Sequence, residues 1–162
     1  VGTATGCSEI YSFSTMDAIT QYPFLDSFTN VSEPDIPFGY QSIDKSDGVW
    51  QSTEFIGDGD SKSMICLNKN GVELTDFDNW FISPPFAVED GVEYAVSNTL
   101  KSFTGSTPET VTVYWSNSPY IEDFNKVLYT RQNFSGNNWV SDFGMARPDY
   151  DGVMFVGFSP HI

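Results

Sequence analysis

The chain has 162 residues, a length that suits a single domain with its own hydrophobic core. Lysine and arginine number 7 against 22 aspartates and glutamates, so the formal net charge is −15 at pH 7. This balance excludes the basic face that nucleic acids need and disfavours an anionic membrane surface, whereas it suits divalent cations or simple solvation. No apolar run is as long as a membrane-spanning helix, so we expect no membrane insertion.

The first part of the chain contains one short stretch with a helical pattern. Met16–Gln21 is the only stretch with helical spacing, and Pro23 follows it closely. A helix of this length is not stable alone, so we expect no stable helix there.

Later in the chain, apolar residues recur at every second position, as in half-buried strands. This pattern covers residues 94–100 and 110–115. In Val153–Phe158 both faces are apolar, which predicts a central, buried strand. Turn sequences rich in Gly, Asn, Asp, Ser and Pro separate the strand patterns, at 58–60, 69–71, 89–91, 105–108, 136–138 and 151–152. Together these features predict an all-β sandwich or barrel.

The sequence contains few of the residue combinations that known catalytic sites use. The single histidine, His161, stands near the end of the chain, and no nucleophile elbow, phosphate-binding loop or dinucleotide fingerprint occurs. A glycosidase needs only a pair of carboxylates at no fixed spacing, but nothing points to a specific pair. Cys7 and Cys66 form either one disulfide or two buried thiols, and neither belongs to a C-x-x-C pair. We therefore expect no catalytic residues and no enzymatic activity.

A series of short motifs extends from Tyr22 to Ser159. The most specific is Asp78–Pro85, in which Trp80 and Ile82 fall on one face of a strand that Pro84 and Pro85 then end. The other motifs are Tyr22–Phe28, Pro37–Tyr40, Asp44–Trp50, Ser63–Met64, Glu109–Ser116 and Val153–Phe158. In this order the motifs resemble the cleaved-adhesin and choice-of-anchor J family of bacterial surface proteins.

That resemblance implies a two-layer antiparallel β-sandwich with jelly-roll connections, similar in architecture to MAM domains. The domain would span residues 22–162, with 16–21 as a linker. Residues 1–15 are similar to the closing strand of a fibronectin type III-like module; alternatively, 8–14 form the first strand of the jelly roll. The family also implies an extracellular location, at the cell surface or secreted.

Calcium is the metal that the acidic loops favour, because Ca²⁺ takes several oxygen ligands that Asp- and Gly-rich loops supply compactly. The candidates are Asp44 and Asp47 in one loop and Asp58 and Asp60 in another, although neither loop has EF-hand spacing. The family implies a structural Ca²⁺ to which Asp26 in the first-strand motif contributes. Where the family has a further acid after the second Phe of that motif, this chain has Thr29. The alternative is that these aspartates only form solvated turns.

Exposed aromatic residues near loops suggest a ligand site, since sugar-binding sandwiches stack rings on aromatic side chains and add amide hydrogen bonds. The candidates are Tyr120, Asn137, Asn138 and Trp139. Two classes of function therefore compete. One is a calcium-stabilised adhesion module that binds a glycan or a protein. The other is a structural spacer or fibre subunit that binds neighbouring domains or copies of the same protein. An accessory role in a glycan-processing enzyme is a distant third alternative.

One further prediction concerns the C-terminal end of the sequence. In the family, the strand resembling Gly152–Ser159 is followed by another apolar strand, and the present sequence stops at His161 and Ile162 before it. We expect the domain to be incomplete there. Either the chain is a fragment of a longer polypeptide, or a strand from a neighbouring copy or from residues 8–14 pairs with 152–159. The alternative is that the strands present close the sheet and a loop covers its edge.

Overall fold

A computed structural model describes residues 16–44, 48–54, 57, 59, 61–68, 78–102, 108–136 and 138–161. The strand expected at 8–14, the module boundary at 1–15 and the partner thiol Cys7 lie outside these residues. So do three calcium candidates and one ligand candidate: Asp47, Asp58, Asp60 and Asn137.

Within the described residues the chain forms antiparallel strands and one short 3₁₀ turn, Ile121–Asp123. The strands are β1 (Gln41–Asp44), β2 (Gly48–Thr53), β3 (Ser63–Asn68), β4 (Asn79–Ile82), β5 (Phe86–Val88), β6 (Tyr94–Leu100), β7 (Glu109–Ser116), β8 (Lys126–Phe134), β9 (Val140–Ala146) and β10 (Gly152–His161). The segment Met16–Gln21 is not helical, as expected, and its Ile19 forms an isolated parallel bridge with Phe86.

The main sheet has the order β1-β4-β10-β7-β8, and two-stranded sheets pair β2 with β3 and β6 with β9. On one side β10 pairs with β7 from Phe155 to His161. On the other side it pairs first with β5, over Gly152–Met154, and then with β4, at Gly157 and Phe158. The prediction of a central, buried strand is confirmed. The expectation that Gly152–Ser159 needs a strand from elsewhere is wrong, because β5 and β4 share its second edge.

Ser83 joins the two strands that share this edge. Its N–H donates to the Val156 carbonyl, and its Oγ accepts a hydrogen bond from the Val156 N–H, both at 2.9 Å. Pro84 and Pro85 follow and have no N–H to donate, so β4 ends there. The serine side chain thus takes the place of its own carbonyl, which in a regular antiparallel pair would accept the hydrogen bond from the Val156 N–H.

One face of the main sheet packs against the β6–β9 sheet. The core between them contains buried residues of β7, β10 and β9, among them Val113, Val156 and Ala146, together with half-buried Val96 and Leu100 of β6. Further along the same face, Phe81 stacks on Trp50 of β2, with ring centroids 5.3 Å apart. These layers form the predicted antiparallel β-sandwich, and the jelly-roll connectivity remains a prediction.

The opposite face of the main sheet carries a second, smaller core. Ile82, Phe124 and Phe155 are buried there, and Trp80 and Tyr114 pack against them. Phe124 comes from the loop that joins β7 to β8, so this loop folds back over the sheet. Trp80 and Ile82 do lie on one face and fill a core, as their spacing predicts.

Candidate functional site

The loop between β7 and β8, residues 117–125, bounds a small polar cleft. Six residues line it: Trp115, Ser116, Asn117, Asp123, Asn125 and Lys126. The cavity volume is about 170 Å³, and most of the exposed lining is polar. Strand ends supply Trp115, Ser116 and Lys126, whereas the loop supplies the two amides and the carboxylate. Rigid elements therefore position half of the lining.

Lys126 lies against the aromatic wall of the cleft. Its Nζ is 4.2 Å from the centroid of the Trp115 ring, which is a cation–π contact. The two residues are register partners in the β7–β8 ladder, so their side chains share one face of the sheet. Because Trp115 is only 7% exposed, its ring is not available as a stacking platform, and the cleft can bind mainly through hydrogen bonds.

The loop that supplies the amides is held by a chain of short-range hydrogen bonds. Ser116 Oγ accepts from the Ser118 N–H at 3.1 Å, and Ser118 Oγ accepts from the Tyr120 N–H at 3.2 Å. The Asp123 N–H donates to the Tyr120 carbonyl at 3.0 Å, which closes the 3₁₀ turn. Together with buried Phe124, these bonds fix the loop against the sheet.

The predicted ligand residues fall into two groups that the structure does not bring together. Tyr120 stands in the β7–β8 loop and is 66% exposed. Exposed Asn138 and half-buried Trp139 lie in the β8–β9 loop, where Lys101 Nζ is 5.8 Å from the Trp139 ring. These loops leave opposite ends of β8, a nine-residue strand that spans roughly 30 Å.

Sequence reasoning missed Asn117, Asp123, Asn125 and Lys126. The signal that could have found them is the composition of the stretch between two strands, Asn117–Asn125, which contains Asn, Ser, Pro, Tyr and acidic residues. Only its aromatic residue, Tyr120, is among the ligand candidates predicted from the sequence. That its polar side chains line one cleft with the ends of β7 and β8 follows only from the pairing of those strands.

The two described calcium candidates have different hydrogen-bond partners. Asp26 is half-buried, its Oδ1 accepts a hydrogen bond from the Phe28 N–H at 2.8 Å, and its carboxylate is hydrogen-bonded to Tyr40. Asp44 is exposed, and its Oδ1 accepts from Ser42 Oγ at 2.7 Å. Tyr40 immediately precedes β1 and Asp44 ends it, so roughly 13 Å of extended chain lie between them.

Calcium binding by Asp26 or Asp44 stays a prediction. Among the residues that the structure describes, no group of three His, Cys, Asp or Glu side chains could hold a metal. Within the same ranges, no helix is both long and apolar enough to cross a membrane.

Buried ionisable groups lie mostly away from the cleft. Burial raises the pKa of the free Cys66 thiol from 9.0 to about 12, although a hydrogen bond from Asn79 Nδ2 acts in the opposite direction. Burial, and then the charge of Asp26, raise the pKa of Tyr40. Burial, and then the charge of Asp142, raise the pKa of Tyr129. All three groups stay neutral at physiological pH.

Comparison with known proteins finds matches among solved structures only. No family profile matches the chain, and no curated protein matches its sequence. Three solved domains of Lys-gingipain share its fold. The K1 cleaved adhesin domain, from Porphyromonas gingivalis, has 16% identity and a TM-score of 0.59, over 76% of this chain and 81% of that one.

The K3 cleaved adhesin domain, from the same organism, has 15% identity and a TM-score of 0.58, covering 78% of this chain and 85% of the other. The K2 cleaved adhesin domain has 16% identity and a TM-score of 0.60, covering 86% and 88%. Identities this low establish the fold alone. The chain therefore has the β-sandwich fold of the cleaved adhesin domains.

Proposed function

We propose that this domain is an extracellular, non-catalytic adhesion module of a larger bacterial surface or secreted protein, and that it binds a glycan or a protein. The observation that carries the proposal is the fold shared with three adhesin domains over 76–86% of the chain.

Calcium stabilisation is part of the proposal. Asp26 is the described residue best placed to contribute, because it is half-buried and one of its carboxylate oxygens already accepts a backbone N–H. Its other partners would have to include backbone carbonyls or residues outside the described ranges. The ion would supply no chemistry; it would hold the loop around Asp26 against the sandwich.

Retention experiments test the binding function. The immobilised domain is exposed to an array of glycans and to an array of extracellular host proteins, each in calcium and in chelator. We expect selective retention on a small set of ligands, stronger in calcium. Retention on neither array, in either condition, would contradict the adhesion role.

A structural spacer that binds neighbouring copies is the second candidate, and one surface favours it. On the outer face of the β6–β9 sheet, exposed Phe143 and Met145 lie opposite Ser97 and Ala95. Thr99 and Ser141 continue this face, which carries no charged side chain along these strands although the chain has a net charge of −15. An uncharged, partly apolar face of this kind is typical of a contact surface.

Self-association separates the two candidates. Sedimentation velocity over a hundredfold range of concentration should show assembly if this face joins copies, and Phe143→Lys should abolish the assembly. The matched substitution Val127→Lys, at an exposed apolar residue of β8, should leave it unchanged. A monomer at every concentration would contradict the spacer role.

A further inference from the structure

The cleft between β7, β8 and their connecting loop has the chemistry of a saccharide subsite. Asn117, Asp123 and Asn125 line it, are exposed, and make no side-chain hydrogen bond to another described residue. A carboxylate only accepts hydrogen bonds, an ammonium group only donates, and an amide does both. Because a hydroxyl also does both, adjacent hydroxyls on one ring can satisfy this mixed set of groups.

The size and charge of the cleft further restrict the class of ligand that can bind there. A volume of about 170 Å³ is well below that of sites for drug-sized molecules, so it suits one sugar ring and not an extended ligand. Glu122 and Asp123 place two carboxylates in the loop, which disfavours an acidic sugar. Lys126 is held against Trp115 and does not offset both of them.

The backbone of the loop that bounds the cleft is held against the sheet. Phe124, 6% exposed, anchors the loop in the core, and the hydrogen bonds of Ser116, Ser118 and Tyr120 connect the loop to the end of β7. A loop whose backbone is already ordered loses less entropy when it binds a ligand. Tyr120, exposed in the same loop, offers an aromatic ring for a neighbouring sugar of a longer glycan.

We propose that Asn117, Asp123, Asn125 and Lys126 form a binding subsite for a neutral hexose unit of a glycan. The inference rests on the proposed binding function and assigns it a site and a ligand class. The amides and the carboxylate bind the ring hydroxyls, and Lys126 contributes one donor.

The test uses neutral hexose oligosaccharides and sialylated counterparts, measured by calorimetry on three proteins: wild type, the double variant Asn117→Ala/Asn125→Ala, and Asn138→Ala. The double variant removes two hydrogen-bonding groups and should lower affinity for the neutral glycan about tenfold. Its melting temperature should not change, because these side chains have no partner among the described residues. Asn138→Ala alters the other predicted ligand group, at the opposite end of β8, and full affinity of this variant is the result expected if the hexose occupies the cleft.

Titration of the wild type with the same oligosaccharide, followed by NMR, should shift the side-chain amide signals of Asn117 and Asn125 first. Equal affinity for all three proteins, loss only in Asn138→Ala, or preference for the sialylated glycan would overturn the subsite. If the wild type binds host proteins but no hexose, the subsite fails while the adhesion module stands. If it binds neither, both fail.

Discussion

At the scale of single residues, Gly157 permits the closest approach in the second core. A Cβ at this position would lie 2.8 Å from a ring carbon of Phe124 and 3.2 Å from one of Trp80. We expect Gly157→Ala to lower the free energy of unfolding by about 1–3 kcal/mol, because the loop carrying Phe124 must move outward. Urea denaturation measures the change.

The same substitution in a Phe124→Val variant tests whether the contact with Phe124 causes the loss of stability. Phe124→Val lacks the ring atoms that the new methyl group would meet, so Gly157→Ala should cost less there than in the wild type. An equal cost in both backgrounds would show that the loss comes from the backbone and not from Phe124.

The pKa of the Cys66 thiol depends on the burial of this residue in the folded chain. Its pKa is raised to about 12 in the folded chain against 9.0 when unperturbed, so the unfolded state loses the thiol proton first. The stabilisation is complete below about pH 9 and is lost as pH rises toward about 12. In a Cys7→Ser background, we expect the folded protein to react slowly with a thiol reagent at pH 8 and the urea-unfolded protein to react rapidly.

The fall in stability between pH 9 and 12 should be smaller in Cys66→Ala. It should not vanish, since burial also raises the pKa of Tyr40 and Tyr129, which act in the same direction. Fast labelling of the folded protein at pH 8 would contradict the buried thiol.

At the scale of elements, the junction between β4 and β5 depends on one hydroxyl. Ser83→Ala removes the acceptor of the Val156 N–H in a region where Ser83 is only 3% exposed. An unpaired buried donor costs about 1–3 kcal/mol, so we expect a loss of that size in urea denaturation, with faster hydrogen exchange at the Val156 amide. Ser135→Ala, at an exposed serine, should change stability by no more than about 0.5 kcal/mol. Unchanged exchange at Val156 would argue against the role of Ser83.

At the scale of the whole molecule, the net charge of −15 opposes folding through self-repulsion, so any cation stabilises the fold to some degree by screening. A specific calcium site would add to this effect. If calcium is bound, we expect a chelator to lower the melting temperature by about 5–10 °C, which corresponds to saturation near 100 times the dissociation constant. Calcium should restore the loss, whereas magnesium at equal ionic strength should not. Equal recovery of the melting temperature with both ions, or no effect of the chelator, would mean that cations stabilise the fold only by screening its charge.

Much of the fold follows from local pattern. Alternation at 94–100 predicted a strand with one buried face, and β6 has that pattern of burial. Apolar residues on both faces of 153–158 predicted a central strand, because only a strand covered on both sides can bury both sets. The pairing of β10 with both β4 and β5 could not be predicted in the same way, since it depends on where Ser83, Pro84 and Pro85 bring the chain.

The candidate site was predictable only in part. Tyr120 could be predicted as a ligand candidate, because an aromatic residue in a polar turn can be recognised in the sequence. The cleft beside it was not visible, because Trp115 and Lys126 lie eleven positions apart and meet only through the register of β7 and β8. For the same reason, the sequence could not show that Tyr120 and Trp139 lie in loops at opposite ends of β8.

The sequence by itself determined the class of fold, several of the strand segments and the acidic net charge, because alternation and net charge are properties of the chain read in order. Tertiary structure alone decided which loops share an end of the sandwich and which amides line one cleft. These depend on strand register and sheet order, and a shift of one residue would place every side chain on the other face.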